Sequence, residues 1–294
     1  MSNCLFACPD RTIPSATVTP VITGGSWSPS LPLANLKDRS LASYARSVDK
    51  LAASTTFDID LGASRELRLF AIPDHNFSAD ATIRMLADTE ATFATPNAID
   101  TGALPVWPRY YPAGSLPATH ESYSDGKLTA EARKGLKSGW WYAHPTAVQA
   151  QYIRIIITDS GAGNTDGYVQ LNRFICAPAW QPALNMIFGG SLTWEVDTDS
   201  IKVLGGPTIY DRRTPRRSLQ LTLEALTPEQ AMTWPFELQR LLGIDGELFF
   251  VYDPADSDLL MKQRSFLATL RQLSAIEYPY HNSQQTAFNL LEVL

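Results

Sequence analysis

The segment 57–62, Phe-Asp-Ile-Asp-Leu-Gly, constrains the fold of this chain more than any other. Apolar and acidic residues alternate along it until Gly62 ends the run. A period of two is the signature of a β-strand with one buried face. The sequence therefore predicts a fold that is built from half-buried strands at this point.

Further strand patterns follow at short intervals. Alternating or β-rich runs occupy residues 67–72, 82–86, 152–158 and 168–176. The pattern indicates no long helix before residue 178. Short strands separated by turns are typical of antiparallel sandwiches, and the first part of the chain is predicted to be one.

The second part of the chain combines strands with one helix. Strand patterns occupy residues 192–196, 201–204, 219–225, 247–252, 266–276 and 286–294. Thr227, Pro228 and Gln230 have the residue types of a helix N-cap, first helical position and capping box. Pro235 must kink or restart this helix, and Gly243 ends it. The sequence predicts a second β-sandwich or barrel that encloses one α-helix.

The chain length and the position of two prolines indicate two domains. A chain of 294 residues is about twice the usual size of one domain. Pro178 and Pro182 flank Trp180 at the best boundary. We expect an N-terminal segment over 1–30 that is an extended arm or has an edge strand at 17–22 and need not join the core. A first domain over 31–178 and a second over 179–294 follow.

Composition excludes several classes of function. The net charge is −6, so no global field favours nucleic acid or an anionic membrane. The longest apolar runs have five or six residues, too few for a membrane-spanning helix, and the first ten residues lack a signal-peptide pattern. We therefore expect no membrane span and synthesis inside a cell. Three cysteines give no disulfide framework, and Cys4 and Cys8 have no matching zinc partners downstream.

Catalytic patterns are not found. The four histidines are isolated, and no nucleophile, base and orienting group share a recognisable spacing. Asp58 and Asp60 could form a carboxylate pair, but a solvated strand face is the favoured interpretation. Residues 160–167 have the composition of an oxygen-rich calcium loop without its ligand spacing, and a hairpin connection is the alternative. We expect no enzyme activity, no metal and no cofactor.

Aromatic residues are concentrated in a predicted long loop, residues 88–145. Flat rings can pack among themselves, anchor a protein partner or stack on a sugar. All three interpretations stay open for this set. The candidate ligand or interface aromatics are Trp107, Tyr110, Tyr111, Trp140, Trp141 and Tyr142.

Four arginines lie at a predicted hairpin tip: Arg212, Arg213, Arg216 and Arg217. One interpretation is a solvated loop. The other is a contact with an acidic neighbouring subunit, since each charge-assisted hydrogen bond across such a contact is favourable.

The first part of the chain resembles the galactose-binding-like jelly roll of discoidin and carbohydrate-binding modules. The motifs are Leu33-Ala34-Asn35-Leu36 with Arg46-Ser47, Phe57 to Gly62, Ala71 to Phe77, Gln151 to Ile155, and Asp166-Gly167-Tyr168. The resemblance implies a jelly-roll fold over about residues 15–178. It leaves the ligand open, because variable loops select the ligand in that family.

The second part resembles the tail-tube-like sandwich of phage tail proteins, in which strands enclose one helix. The resemblance covers about residues 185–294. It is carried by Ser218 to Leu226, the helix end Leu241-Leu242-Gly243, Gly246 to Phe250, and Thr286 to Leu294. Distal tail proteins usually place the ring-forming domain first, whereas here it comes last.

Together the two resemblances imply a minor structural protein of a phage tail. Its partners would be copies of itself in a threefold or sixfold ring, other tail proteins and, as a further candidate, a cell-surface glycan. It would be located in the virion tail. The alternative functions are a carbohydrate-binding module protein and, third, a glycan-active enzyme.

Overall fold

The structure is a computed structural model that describes residues 3–16, 18–94, 98–133, 139–202, 206, 208–211 and 213–294. Strands make up 42% of it and helices 12%. The prediction of a mainly β chain with several antiparallel sheets is confirmed.

Nineteen strands are formed by the described residues. The first eleven are β1 (Leu5–Ala7), β2 (Val21–Thr23), β3 (Ala45–Arg46), β4 (Phe57–Ile72), β5 (Thr82–Asp88), β6 (Ile99–Asp100), β7 (Leu104–Pro105), β8 (Trp140–Thr158), β9 (Gln170–Leu171), β10 (Ile175–Ala177) and β11 (Ala179–Trp180). The other eight are β12 (Ser191–Glu195), β13 (Asp199–Lys202), β14 (Thr208–Asp211), β15 (Arg216–Leu226), β16 (Glu247–Val251), β17 (Phe266–Gln272), β18 (Ile276–Tyr280) and β19 (Ser283–Glu292).

The helical segments are short. They are a 3-10 turn (Leu33–Lys37), α1 (Ala52–Thr55), α2 (Ala130–Arg133), α3 (Pro228–Ala231), a π-helical turn (Met232–Phe236), α4 (Glu237–Leu242) and α5 (Asp258–Arg264). Only α3, the π-helical turn and α4 join into a longer helix among the described residues.

The chain divides into two units. The N-terminal unit comprises Ala7–Ala179 and Pro254–Gln263, and the C-terminal unit comprises the residues up to Phe6, Trp180–Asp253 and Arg264–Leu294. The sequence places one boundary near residue 178 and does not anticipate that residues 254–263 join the first unit.

The N-terminal unit is organised around two long strands. Its main sheet has the order β10-β4-β8-β5-β6, with β2 paired to β4 and β7 to β5. Register shifts interrupt the pairing of β4 with β8 after Asp60 and after Leu67, so that each strand continues beyond the bend. Their alternating apolar side chains form one buried core.

Two predictions for this unit are wrong in detail. The separate strands expected at 57–61 and 67–72 are one 16-residue strand, β4. The long loop expected over 88–145 ends early, because β8 begins at Trp140 and pairs with β4 through Ile72. The misleading residue is Pro145, which lies in β8 at the register shift between Ala143 and Val148, a place where a strand tolerates proline.

The C-terminal unit is built on an eight-stranded sheet with the order β11-β1-β16-β17-β19-β15-β12, to which β18 is added through β19. Strands β13 and β14 form a separate two-stranded ribbon. The predicted helix is confirmed at its start, where Thr227 and Gln230 make the capping box. It continues through Pro235 by a π-helical turn and ends at Gly243, whose φ is 57°.

The first strand differs from the expected N-terminal arm. Leu5 and Phe6 are fully buried, and β1 lies inside the eight-stranded sheet between β11 and β16. Proline-rich sequence around this short apolar run conceals the strand. In the predicted edge strand at 17–22, Thr17 lies outside the described residues, while Val21–Thr23 pairs with β4.

Candidate functional site

Two of the six candidate aromatics are core residues. Trp107 and Trp140 are 6% and 4% exposed. The indole Nε1 of Trp107 donates to the carbonyl oxygen of Phe77 at 3.0 Å. Arg133 and Lys262 place their cationic groups 5.3 Å and 4.4 Å from the centroid of the Trp107 ring. These contacts stabilise the unit, and Trp107 is not available to an external ligand.

Two other aromatics border a cleft of about 260 Å³ in the N-terminal unit. Trp141 and Tyr142 are half-buried, on the first residues of β8. Burial raises the pKa of Tyr142, so its hydroxyl stays protonated at neutral pH. The remaining lining is mainly apolar and consists of Leu104, Pro105, Val106, Pro108, Gly139, Trp140, Ala143, Pro254, Met261 and Lys262. Among the described residues the lining contains no carboxylate and one cation, Lys262, so the cleft suits a flat group with an apolar face.

The last two aromatics do not line that cleft. The backbone N–H groups of Tyr110 and Tyr111 both donate to the carbonyl oxygen of Gly126 at 2.8 Å, which closes a loop. The Tyr111 ring lies edge-on to His120 with centroids 5.9 Å apart. The structure thus separates the six residues into core, cleft and loop pairs.

The arginine cluster is also divided. Arg212 lies outside the described residues. Arg213 forms an exposed ion pair with Asp199 at 3.5 Å, and Arg216 pairs with Asp197. The prediction of four loop cations is wrong for Arg217, whose Nε donates to Glu292 at 2.9 Å and whose guanidinium lies 4.7 Å from the ring centroid of Phe266. Arg217 is the second residue of β15, and its charge is satisfied inside the subunit by Glu292.

The C-terminal unit carries most of the exposed large apolar side chains. The sequence predicts strands at several of these positions but not their exposure. Among the described residues twenty large apolar side chains are exposed, and sixteen of them belong to this unit. Phe188 is fully exposed, Trp194 63% and Tyr280 78%. Leu192 and Trp194 share one strand face, and their alternation is visible in the sequence, but only the sheet order shows that this strand is an edge.

The other sequence candidates have structural roles. Asp58 accepts two hydrogen bonds of 2.7 Å from Arg154, and Asp60 accepts one of 2.9 Å from Gln151. Both carboxylates thus pair with the neighbouring strand. Burial raises the pKa of Cys4 to about 12 and that of Cys8 to about 11, so these thiols stay protonated.

The loop with calcium-like composition contains a side-chain cation. The ammonium group of Lys50 donates to the carbonyl oxygens of Gly161 and Asn164, each at 3.0 Å. Asn164 in turn accepts a hydrogen bond from the backbone N–H of Gly167 at 3.1 Å. The described residues contain no cluster of three or more acidic, cysteine or histidine residues that could hold a metal. Nor do they include a helix of the length and apolarity that crossing a membrane requires.

Comparisons with known proteins give similarity of structure only. No family model and no curated protein matches the sequence. Among solved structures, a family 32 carbohydrate-binding module from a Clostridium perfringens family 31 glycoside hydrolase is 12% identical with a TM-score of 0.36. It is covered over 99% of its length by 58% of this chain.

Two more structures are similar to the same degree. The family 32 module of AlyQ, solved with 4,5-unsaturated mannuronic acid, is 12% identical with a TM-score of 0.32, and 53% of this chain covers 92% of it. SpGH29 is 13% identical with a TM-score of 0.37 and matches 60% of this chain, which spans only 28% of SpGH29. Two of these three similar structures are family 32 carbohydrate-binding modules. At such identities and TM-scores, nothing about ligand or activity follows.

Proposed function

We propose that this chain is a structural subunit of a phage tail tip, whose copies associate through their C-terminal units. The observation that carries the proposal is the crowding of exposed apolar side chains on that unit. Sixteen large apolar side chains exposed on one unit are costly to leave in water, and association between copies would cover part of this surface. The order of strands around one helix, which the tail-tube resemblance implies, further supports this assignment.

In the assembled state we expect a ring of three or six copies in the virion tail, after synthesis in the host cytoplasm. The ring would connect the tail tube to tip or receptor-binding proteins. Such rings require a heterologous contact whose rotation closes. We expect the exposed ion pairs of Arg213 and Arg216 to exchange partners across that contact, as their predicted role in subunit contact requires.

Solution mass tests the proposal. Light scattering at increasing concentration should show three or six times the 32.4 kDa mass of the chain for a single ring, and twice that mass where two rings associate. Changing both Tyr278 and Tyr280 to Ser should lower that mass, since these tyrosines are 67% and 78% exposed on the C-terminal unit. The matched control is Tyr123→Ser, an exposed tyrosine of the N-terminal unit. A chain that stays monomeric at high concentration would overturn the assembly.

A second candidate function, carbohydrate binding, is favoured by the cleft beside Trp141 and Tyr142. Uncharged aromatic walls suit the apolar face of a sugar ring. On a glycan array, Trp141→Ala should abolish any binding. The control Trp194→Ala, which removes an exposed tryptophan of the other unit, should retain it. A glycan-binding monomer would favour this function over the ring.

We propose no catalytic step. Hydrolysis of polysaccharide, peptidoglycan or esters should be absent, since Asp58 and Asp60 are used in strand-to-strand hydrogen bonds. Turnover that disappears in Asp58→Asn or Asp60→Asn would contradict this expectation.

A further inference from the structure

The edges of the eight-stranded sheet are protected to different degrees. Strand β11 has two residues, 8% and 9% exposed. Strand β18 contains Pro279 and a register shift between Glu277 and Tyr280. Strand β12 pairs with β15 over five residues without a shift and contains neither proline nor lysine. Sheet edges are normally blocked by such devices, and β12 lacks them.

The buried face of the sheet continues onto β12. One cross-strand row consists of four leucines in the order Leu270, Leu290, Leu219 and Leu192. The first three are at most 2% exposed, whereas Leu192 is 42% exposed. Trp194, which lies two residues along on the same face, is 63% exposed. The described residues thus leave the last position of a core row uncovered.

Charge does not protect this edge either. Glu195 at the end of β12 pairs with Arg271 at 2.7 Å, and Asp197 just beyond it pairs with Arg216. Since both carboxylates are already paired within the subunit, an approaching copy meets no unpaired charge from them. The edge offers backbone hydrogen-bonding groups flanked by apolar side chains.

We infer that β12 pairs antiparallel with β12 of a second copy, about a twofold axis at Thr193. This register pairs all five residues and places Leu192 opposite Trp194 of the second copy, which covers the exposed end of the leucine row. Ser191 then lies opposite Glu195 and can donate a hydrogen bond to its carboxylate. A head-to-tail pairing would need a different edge as acceptor, and β11 and β18 are short or interrupted. The contact goes beyond the proposed ring, and with a ring it would give a dihedral assembly.

Charge complementation tests the twofold register. Thr193→Lys alone and Thr193→Glu alone place like charges opposite each other and should weaken pairing about fivefold. An equimolar mixture of the two variants should restore it, measured by sedimentation. The matched control is the same pair of substitutions at Gln220, which is exposed on the adjacent strand β15 and is not at an edge. Weakening without restoration in the mixture would overturn the register.

A crosslink gives an independent readout. Thr193→Cys should form a disulfide-linked dimer on mild oxidation, while Gln220→Cys should not; the native cysteines are buried. If the chain forms rings but Thr193→Cys stays uncrosslinked and the charge variants have no effect, the inference fails and the proposed function stands. If dimers crosslink but no larger assembly forms, the inference stands and the ring fails.

Discussion

At the scale of single residues, His75 makes the stability of the N-terminal unit depend on pH. Its ring stacks on Phe77 with centroids 4.3 Å apart and meets Trp107 edge-on at 5.9 Å. Its Nε2 atom is buried and has no hydrogen-bond partner among the described residues. Burial, and to a lesser extent the ammonium group of Lys262, lowers the pKa of His75 well below its usual value of 6.5.

We predict that acid destabilises the protein through this residue. Below about pH 6.5 the unfolded chain binds a proton at His75 that the folded chain does not, so the free energy of unfolding falls as pH decreases. The slope approaches about 1.4 kcal/mol per pH unit. Carboxylates such as Asp100, whose pKa Arg84 lowers to about 2, lose their contribution mainly below about pH 5.

The measurement is the thermal midpoint between about pH 4.5 and 7.5. His75→Gln keeps an acceptor for the backbone N–H of Phe77, which now donates to Nδ1 at 3.3 Å. This variant should show a flatter profile. An unchanged profile in His75→Gln would assign the effect to another group.

Lys50 carries a second prediction at this scale. Its ammonium group donates to the loop carbonyl oxygens of Gly161 and Asn164. It thus takes the place that a metal cation would have in an oxygen-rich loop. Lys50→Met should lower the free energy of unfolding by about 1 kcal/mol, since two charge-assisted hydrogen bonds to a partly solvated loop are lost. Denaturant titration measures this loss, with the exposed Lys202→Met as control. A chelator should leave the wild-type midpoint unchanged; a decrease would indicate a bound metal.

At the scale of elements, two arginines at or near the start of β15 contribute very differently to the stability of the C-terminal unit. Arg217 and Glu292 form an ion pair whose side chains are 12% and 7% exposed, and the Arg217 guanidinium also lies over Phe266. Arg217→Ser should destabilise the C-terminal unit by about 3 kcal/mol, because it leaves a buried carboxylate unpaired. Arg213→Ser, which breaks exposed pairs, should cost less than about 1 kcal/mol. Equal midpoints for the two variants in thermal unfolding would contradict this assignment.

Elements with strong local signals could be predicted from the sequence. The helix after Thr227 carries its own cap, proline and stop residue, and alternation identified the strand at Phe57. Helix α5 (Asp258–Arg264) could not be predicted, because it lacks an obvious apolar period. The start of β8 at Trp140 could not be predicted either, because a proline follows it within the same strand. Local pattern predicts an element, whereas its neighbours decide its length.

The candidate site was less predictable than the fold. Composition grouped six aromatics, but pairing in three dimensions placed Trp107 and Trp140 in the core and left Trp141 and Tyr142 at the cleft. The same holds for the arginines, since only the register of β15 places Arg217 beside Glu292. Burial depends on contacts between residues distant in sequence, which spacing does not record.

At the scale of the whole molecule, the boundary near residue 178 does not separate two independent chains. Residues 179–294 lack β1, which lies inside the eight-stranded sheet with Phe6 against Phe250 and Phe288 at centroid distances of 5.2 Å and 5.1 Å. We predict that this fragment is poorly folded when expressed alone, because the sheet loses a buried strand. Circular dichroism and limited proteolysis measure this. A well-folded fragment 179–294 would show that β1 is dispensable.

The order in which the chain passes through the two units has a consequence for the exchange of domains between genes by recombination. The N-terminal unit is assembled from Ala7–Ala179 and Pro254–Gln263, so the backbone passes between units four times. A jelly roll attached by a single linker can be replaced with one cut and one join. Here, replacing the continuous segment Ala7–Ala179 leaves the ten residues Pro254–Gln263 of the original N-terminal unit within the sequence of the C-terminal unit. Recombination that preserves function in this lineage should therefore transfer the two units together.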